Sequence, residues 1–257
     1  DSIENNKSFV LEAGAGSGKT YTLIQTINHL IDKEEKSLEY NGQRIVCITY
    51  TNVAKNEILN RLQNNPIVIV STIHEFLWDS IKSYQKQLQS QLCVLNEEMF
   101  NSETEKIAEM SANKQASYKR KFSENLKDRI DTIEVQYNET THRNFEKGIL
   151  HHDDVITLTK YMFQEYEKLS LIFHNKYPYI LIDEYQDTAV ETVDTFINTL
   201  LKKNKAKITL GFFGDSHQKI YDSGVGALDD YIGDEAYQLK LIPKSENYRS
   251  SLKLLSF

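Results

Sequence analysis

Short apolar runs alternate with helix-period segments at both ends of the chain. The runs at residues 9–11, 45–48, 67–70, 179–182, 208–213 and 239–242 are rich in Ile, Val, Leu and Phe. Several are continuously apolar, as strands buried on both faces of a parallel sheet must be. Between them Leu23, Ile24, Ile27, Leu30 and Ile31 recur at helical spacing, as do Ala54, Ile58 and Leu62, and later Val193, Ile197 and Leu200. This alternation predicts an α/β fold with a parallel sheet flanked by helices.

The middle reads differently. From about residue 80 to 171 strand signals thin out and charges accumulate. Tyr118, Phe122, Leu126, Ile130 and Ile133 repeat every three or four residues, predicting one apolar stripe on a long helix. The segment reads as a mainly helical subdomain inserted into the α/β domain, dividing the chain into 1–79, 80–171 and 172–257. Residues 138–143, Asn-Glu-Thr-Thr-His-Arg, predict a polar loop.

Charge and cysteine usage narrow the function classes. The net charge of −7 leaves no global basic field, so a nucleic-acid site would have to be a local groove. Cys47 sits within an apolar run and reads as a core residue, not a disulfide partner or metal ligand. No run approaches the ~20 apolar residues of a membrane span. No signal peptide is visible, and a cytoplasmic location is expected. The sequence begins at Asp1 rather than Met, as a trimmed piece of a longer protein would.

The strongest chemical signal is Ala13-Gly14-Ala15-Gly16-Ser17-Gly18-Lys19-Thr20, placed between a predicted strand and a predicted helix. That context is the one a phosphate-binding P-loop needs. The loop amides can cradle phosphate oxygens, and the helix N-terminus adds partial positive charge. Lys19 can reach the β- and γ-phosphates, and the Thr20 hydroxyl can hold Mg²⁺. Ala13 stands where the pattern has Gly, but a small residue still permits the turn. A second half-site follows another apolar strand, Ile180-Leu181-Ile182, which ends in Asp183-Glu184. Asp183 is placed to hold Mg²⁺, mostly through water, and Glu184 to orient or deprotonate an attacking water.

Asp183-Glu184-Tyr185-Gln186-Asp187-Thr188 is far more specific than a bare acidic strand end. With it the chain resembles the UvrD/Rep/PcrA-like superfamily 1 DNA helicases. The motifs occur in the family's order: Ala13 to Thr20; Thr49-Tyr50-Thr51-Asn52 with Ala54; Ser71-Thr72-Ile73-His74-Glu75-Phe76; His152-Asp153-Asp154-Val155; Asp183 to Thr188; Gly214-Asp215-Ser216-His217-Gln218-Lys219-Ile220-Tyr221; and Asn247-Tyr248-Arg249-Ser250. The resemblance implies a RecA-like P-loop NTPase domain 1A with an inserted subdomain 1B. It implies that ATP and Mg²⁺ are cofactors, that Gln218 senses the γ-phosphate, that Tyr248 stacks on adenine and that Arg249 offsets transition-state charge.

The resemblance also implies a single-stranded or partly duplex DNA partner. Tyr50 stands where the family stacks an aromatic on a base. Thr51, Asn52, Thr72 and His74 would contact phosphate or sugar. For His74 the alternative is a buried imidazole satisfied by a backbone carbonyl. Trp78 reads as core. One departure concerns residues 222–225, where the chain has lost the aromatic and the Arg that the family places on DNA.

The chain also ends soon after the Asn-Tyr-Arg-Ser motif. The expectation is therefore an N-terminal piece that lacks the second RecA-like domain and the upstream glutamine motif, weakly active or inactive alone. The parent would be a helicase or translocase moving 3′ to 5′. The alternative is an ATP-gated regulatory module controlling a partner nuclease with little unwinding.

Overall fold

The computed structural model describes residues 7–14, 16–108, 125–201, 208–218, 224–225, 228–234 and 239–244. It comprises two compact units, Asp1–Ile73 with Ser170–Phe257, and His74–Leu169. The described strands are β1 (Phe9–Ala13), β2 (Ile45–Thr49), β3 (Val68–Thr72), β4 (Gln136–Tyr137), β5 (Ile149–Leu150), β6 (Tyr179–Asp183), β7 (Thr209–Gly214) and β8 (Lys240–Lys244). The described α-helices are α1 (Lys19–Tyr40), α2 (Asn52–Arg61), α3 (Ile73–Ile81), α4 (Gln85–Ala108), α5 (Leu126–Arg129), α6 (His152–Glu165), α7 (Glu167–Lys176) and α8 (Val190–Asp194).

Six strands form the sheet of the first unit in the order β3-β2-β6-β7-β1-β8, and every pairing in it is parallel. All residues of β2, β6 and β7 are buried, which is why their sequences show no alternation. Leu23, Ile27 and Leu30 of α1 join Phe9, Leu11, Ile45, Cys47, Leu181 and Phe213 in one core. The expected α/β fold is the fold observed. Cys47 is a free thiol in that core, and burial pushes its pKa up. Val193 and Ile197 are buried as their spacing suggested; the Leu200 side chain lies outside the described residues.

The second unit packs α4 against α6, with Leu88, Leu92 and Leu95 buried on one side and Val155, Leu158 and Met162 on the other. Here the long-helix expectation fails. Tyr118 and Phe122 lie outside the described residues. α5 lasts four residues, a 3₁₀ turn follows over Ile130–Thr132, and Ile133 is already extended. The cause is a competing partner on α4. The Gln85 amide accepts from Val135 N–H at 2.9 Å and donates to Val135 C=O at 3.1 Å. Gln89 donates to Ile133 C=O at 2.8 Å. Leu126, Ile130 and Ile133 are still buried, so the stripe reported burial without reporting helix.

Asp154 sits at the start of α6 and is 2% exposed. It accepts from His151 N–H at 2.7 Å and from Arg143 Nε at 2.8 Å, with Arg143 Nη2 at 2.6 Å from its other oxygen. Removing one member of a buried pair leaves an uncompensated charge. Arg143→Ala should therefore lower unfolding stability by about 3 kcal/mol in urea titrations, and Arg143→Lys by less.

Candidate nucleotide-binding site

Because the sheet is wholly parallel, the carboxyl ends of its strands share one edge, where open α/β sheets bind ligands. Register aligns the ends: Glu12 pairs with Gly214, Asp183 with Phe213, and Thr49 with Thr72. The P-loop therefore leaves β1 on the same edge as Asp183 at the end of β6, Gly214-Asp215 at the end of β7, and Tyr50-Thr51-Asn52 after β2.

Gly18 caps α1 in the left-handed region with φ 79°, which a residue without Cβ adopts freely. Ser17 N–H donates to Gly14 C=O at 3.1 Å and closes the turn. The Ser17 hydroxyl is buried with no hydrogen-bond partner. Lys19 is 9% exposed, and its Nζ lies 3.5 Å from Glu184 Oε2. Ala15 lies outside the described residues. Thr20, Asp183 and Glu184 line one cavity of about 340 Å³. Gly14, Gly16, Gly18 and Lys19 line an adjoining one of about 300 Å³ that shares Thr20, Glu184 and Gln218.

Asp183 is 6% exposed and its Oδ1 is an orphaned acceptor. Burial, then the neighbouring Glu184 charge and more weakly Glu57, push its carboxyl up to about 7, against the pull of Glu184 N–H and Lys19. Glu184 itself holds left-handed backbone, φ 48° and ψ 49°. A non-glycine residue stays there only where its surroundings fix it. Gln186, 2% exposed, does so: its amide donates to Glu184 Oε2 at 2.8 Å and accepts from Asp215 N–H at 3.1 Å. A carboxylate only accepts and a backbone N–H only donates, so this amide has one usable orientation.

Asp215 continues the chain of contacts. Its carboxylate accepts from His217 N–H at 3.0 Å and from the Gln218 side-chain amide. Glu12 accepts from Ser216 N–H at 3.2 Å and from the Tyr185 hydroxyl. The turn carrying Gln218 is thus held from β1, from β7 and, through Gln186, from the turn after β6. Glu12, Gln186 and Asp215 went unassigned on sequence. Gln186 and Asp215 stood inside quoted motifs, but their partners become adjacent only through strand register. Glu12 carried no signal beyond a charge within an apolar strand.

The remaining candidates divide. Tyr50 is half-exposed and, with Thr51, lines the cavity shared by Thr20 and Asp183. Thr51 also caps α2, accepting from Ala54 N–H at 3.1 Å. Asn52 is the first residue of α2, and Thr72 ends β3. His74 belongs to the second unit, its ring centroid 4.5 Å from that of His152. Burial and the adjacent His152 pull its pKa down to about 4, so it is a neutral imidazole at pH 7. Trp78 is only partly buried and lies edge-on to Tyr137. Tyr248 and Arg249 lie outside the described residues, as do Asp222 and Ser223. Val225 N–H bonds Thr188 C=O at 2.8 Å.

A carboxyl raised by folding destabilises the fold as it ionises. The folded state binds the Asp183 proton more tightly, so this group's contribution falls as pH rises from about 4 to about 7. Asp183→Asn should be more stable than the parent at pH 8 in EDTA, by on the order of 2–4 kcal/mol. The difference should vanish towards pH 4 in thermal melts.

An AAA-domain family profile matches residues 1–224. The Gabija protein GajB of Bacillus cereus (strain HuB5-5) is 30% identical, covering 99% of this chain and 47% of GajB. The ATP-dependent DNA helicase Rep of Buchnera aphidicola subsp. Acyrthosiphon pisum is 29% identical over 98% of this chain and 42% of Rep. The ATP-dependent DNA helicase PcrA of Staphylococcus epidermidis is 27% identical over 96% of this chain and 37% of PcrA. The chain spans less than half the length of these relatives. With its P-loop, its Asp-Glu-Tyr-Gln-Asp turn and these relatives, the chain belongs to the AAA-domain family and, within it, matches the N-terminal part of the UvrD-like superfamily 1 helicases.

Proposed function

We propose that this chain is the ATP-binding half of an ATP-dependent DNA helicase or translocase, a cytoplasmic protein moving 3′ to 5′ on single-stranded DNA. The observation that carries the reading is the convergence of Lys19, Thr20, Asp183 and Glu184 on adjoining cavities at the carboxyl edge of the sheet. The residues fit a Mg²⁺–nucleotide: the Asp183 Oδ1 and Ser17 hydroxyl are orphaned, and the glycine loop leaves room for phosphates. Bound Mg²⁺–ATP supplies the phosphoryl group that is transferred to water.

In this reading Thr20 and Asp183 hold the metal, while the amides of the P-loop and Lys19 hold the phosphates. Glu184 orients the attacking water and takes its proton. Gln218 reads the terminal phosphate. Tyr248 and Arg249 keep the roles their motif implies, on adenine and γ-phosphate. Tyr50 supplies a stacking face for a base, and Thr51, Asn52, Thr72 and His74 contact the strand. His74 then acts as a neutral hydrogen-bonding group, not a cation. Residues 80–171 form the inserted subdomain 1B, a reading supported by the compact unit His74–Leu169.

The second reading is an ATP-gated module that controls a partner nuclease with little unwinding. It is favoured by residues 222–225, which carry no aromatic or Arg for DNA, and by the likeness to a Gabija protein.

The ATPase rate of the full-length protein with and without single-stranded DNA, at two salt concentrations, separates the two. Large, salt-sensitive stimulation is expected of the motor. ATP binding without stimulation supports the module. Lys19→Ala should abolish ATP binding in either case, and a variant that bound ATP as the parent does would overturn the site. Tyr50→Ala should weaken single-stranded DNA binding about tenfold, read by fluorescence anisotropy.

A further inference from the structure

α2 carries Ala54, Glu57, Ile58 and Arg61, spaced so that all four share one helical face. That face borders the nucleotide cleft. Ala54, Glu57 and Ile58 line the larger cavity with Thr20 and Asp183. Glu57 and Arg61 line the smaller one with Lys19, the P-loop glycines, Glu184 and Gln218. A guanidinium therefore borders the same space as the P-loop, from a helix whose body has no part in the ATP-site reading above.

Arg61 Nη2 lies 2.6 Å from Glu57 Oε1, and both side chains are about half exposed, at 47% and 52%. A solvent-facing pair one turn apart on a helix is weak and screened by salt. Nucleotide phosphates carry several negative charges and match the planar fork of an arginine. They would compete well for this guanidinium. The other cation here is already engaged, since Lys19 lies 3.5 Å from Glu184. Glu57 borders both cavities, so its charge opposes phosphate binding until the arginine or a metal offsets it.

We infer that Arg61 contacts the terminal phosphates of the bound nucleotide, supplied from α2 of the same chain, and that Glu57 holds the guanidinium while phosphates are absent. This rests on the ATP-site reading above. Arg61 shares its cavity with Glu184 and Gln218, so its effect falls on the γ-phosphate end. ATP and ADP should therefore differ in their dependence on it.

The test is titration of a fluorescent ATP analogue and its ADP counterpart, with Mg²⁺, into the parent, Arg61→Ala, Arg61→Lys, Glu57→Gln and Lys19→Ala, with a thermal melt of each. Arg61→Ala should weaken ATP about tenfold and ADP by less than about threefold, at an unchanged melting temperature. Arg61→Lys should recover part of the loss. Glu57→Gln should move affinity the other way, tightening ATP, because it releases the arginine and removes a negative charge. If Arg61→Ala leaves ATP binding intact, or weakens ATP and ADP equally, the inference fails. It fails also if Glu57→Gln weakens binding in step with Arg61→Ala, the pattern of a pair that merely supports the helix. A Glu57→Gln variant that does not tighten ATP removes Glu57 from the proposal. Should the parent and Lys19→Ala both fail to bind nucleotide, the ATP-site reading falls first and this inference with it.

Discussion

Gly214 ends β7 without a side chain, and the carboxylate turn after β6 occupies the space a side chain would take. A Cβ there would lie 2.3 Å from Gln186 Oε1 and 2.5 Å from Tyr185 Cδ1. β7 lies between the P-loop strand and the carboxylate strand, so its end sits between the turns that the two strands carry. With the Tyr185 ring fully buried, its hydroxyl reaches Glu12 on β1. Gln186 is then left facing Glu184 on one side and Asp215 N–H on the other. Neither contact survives if the turn is lifted off β7, and Gln218 would lose its held position with them.

The same packing builds an electrostatic imbalance into the cleft. Asp183 is buried with an orphaned oxygen, Glu184 sits beside it in left-handed backbone, and Glu57 adds a third carboxylate at the cavity wall. Lys19 faces Glu184 from the opposite side. A backbone outlier of this kind costs roughly 1–3 kcal/mol and persists because its neighbours over-determine it. Here Gln186 and Lys19 both grip the carboxylate of the strained residue. The unfavourable terms concentrate where a metal cation would relieve them, which is how a site is kept pre-organised in place of being assembled on binding.

The strands and the P-loop were legible because each rests on local order. Continuous apolar runs mark doubly buried strands, and Gly-x-Gly-Lys-Thr at a strand end marks a turn that needs small residues. The long-helix expectation failed over residues 126–133 because three- and four-residue spacing reports a buried face. It cannot see that Gln85 and Gln89 claim the backbone groups of Val135 and Ile133. Glu12 was illegible for a related reason. Its partners, Tyr185 and Ser216, lie far along the chain and become neighbours only through the β1–β7 register. His74 was read as a contact residue with a buried imidazole as its rival. Its environment is a cluster of aromatic and imidazole rings, with His152 beside it and Tyr137 and His151 against His152.

α2 shows why a ten-residue helix can serve two sites. Thr51 fixes its first turn by capping Ala54 N–H, so the helix starts at a set point beyond the end of β2. Its start presents Tyr50, Thr51 and Asn52, the candidates for a nucleic-acid strand. Its body presents Glu57 and Arg61 to the phosphate cavity. Ile58 and the C-cap Leu62 enter the core and Leu59 packs against it, so the helix is anchored along its second half as well as by its cap. Thr51 caps one end of the helix and Arg61 closes the other, so the candidates for a nucleic-acid strand and for phosphate are positioned by a single short element.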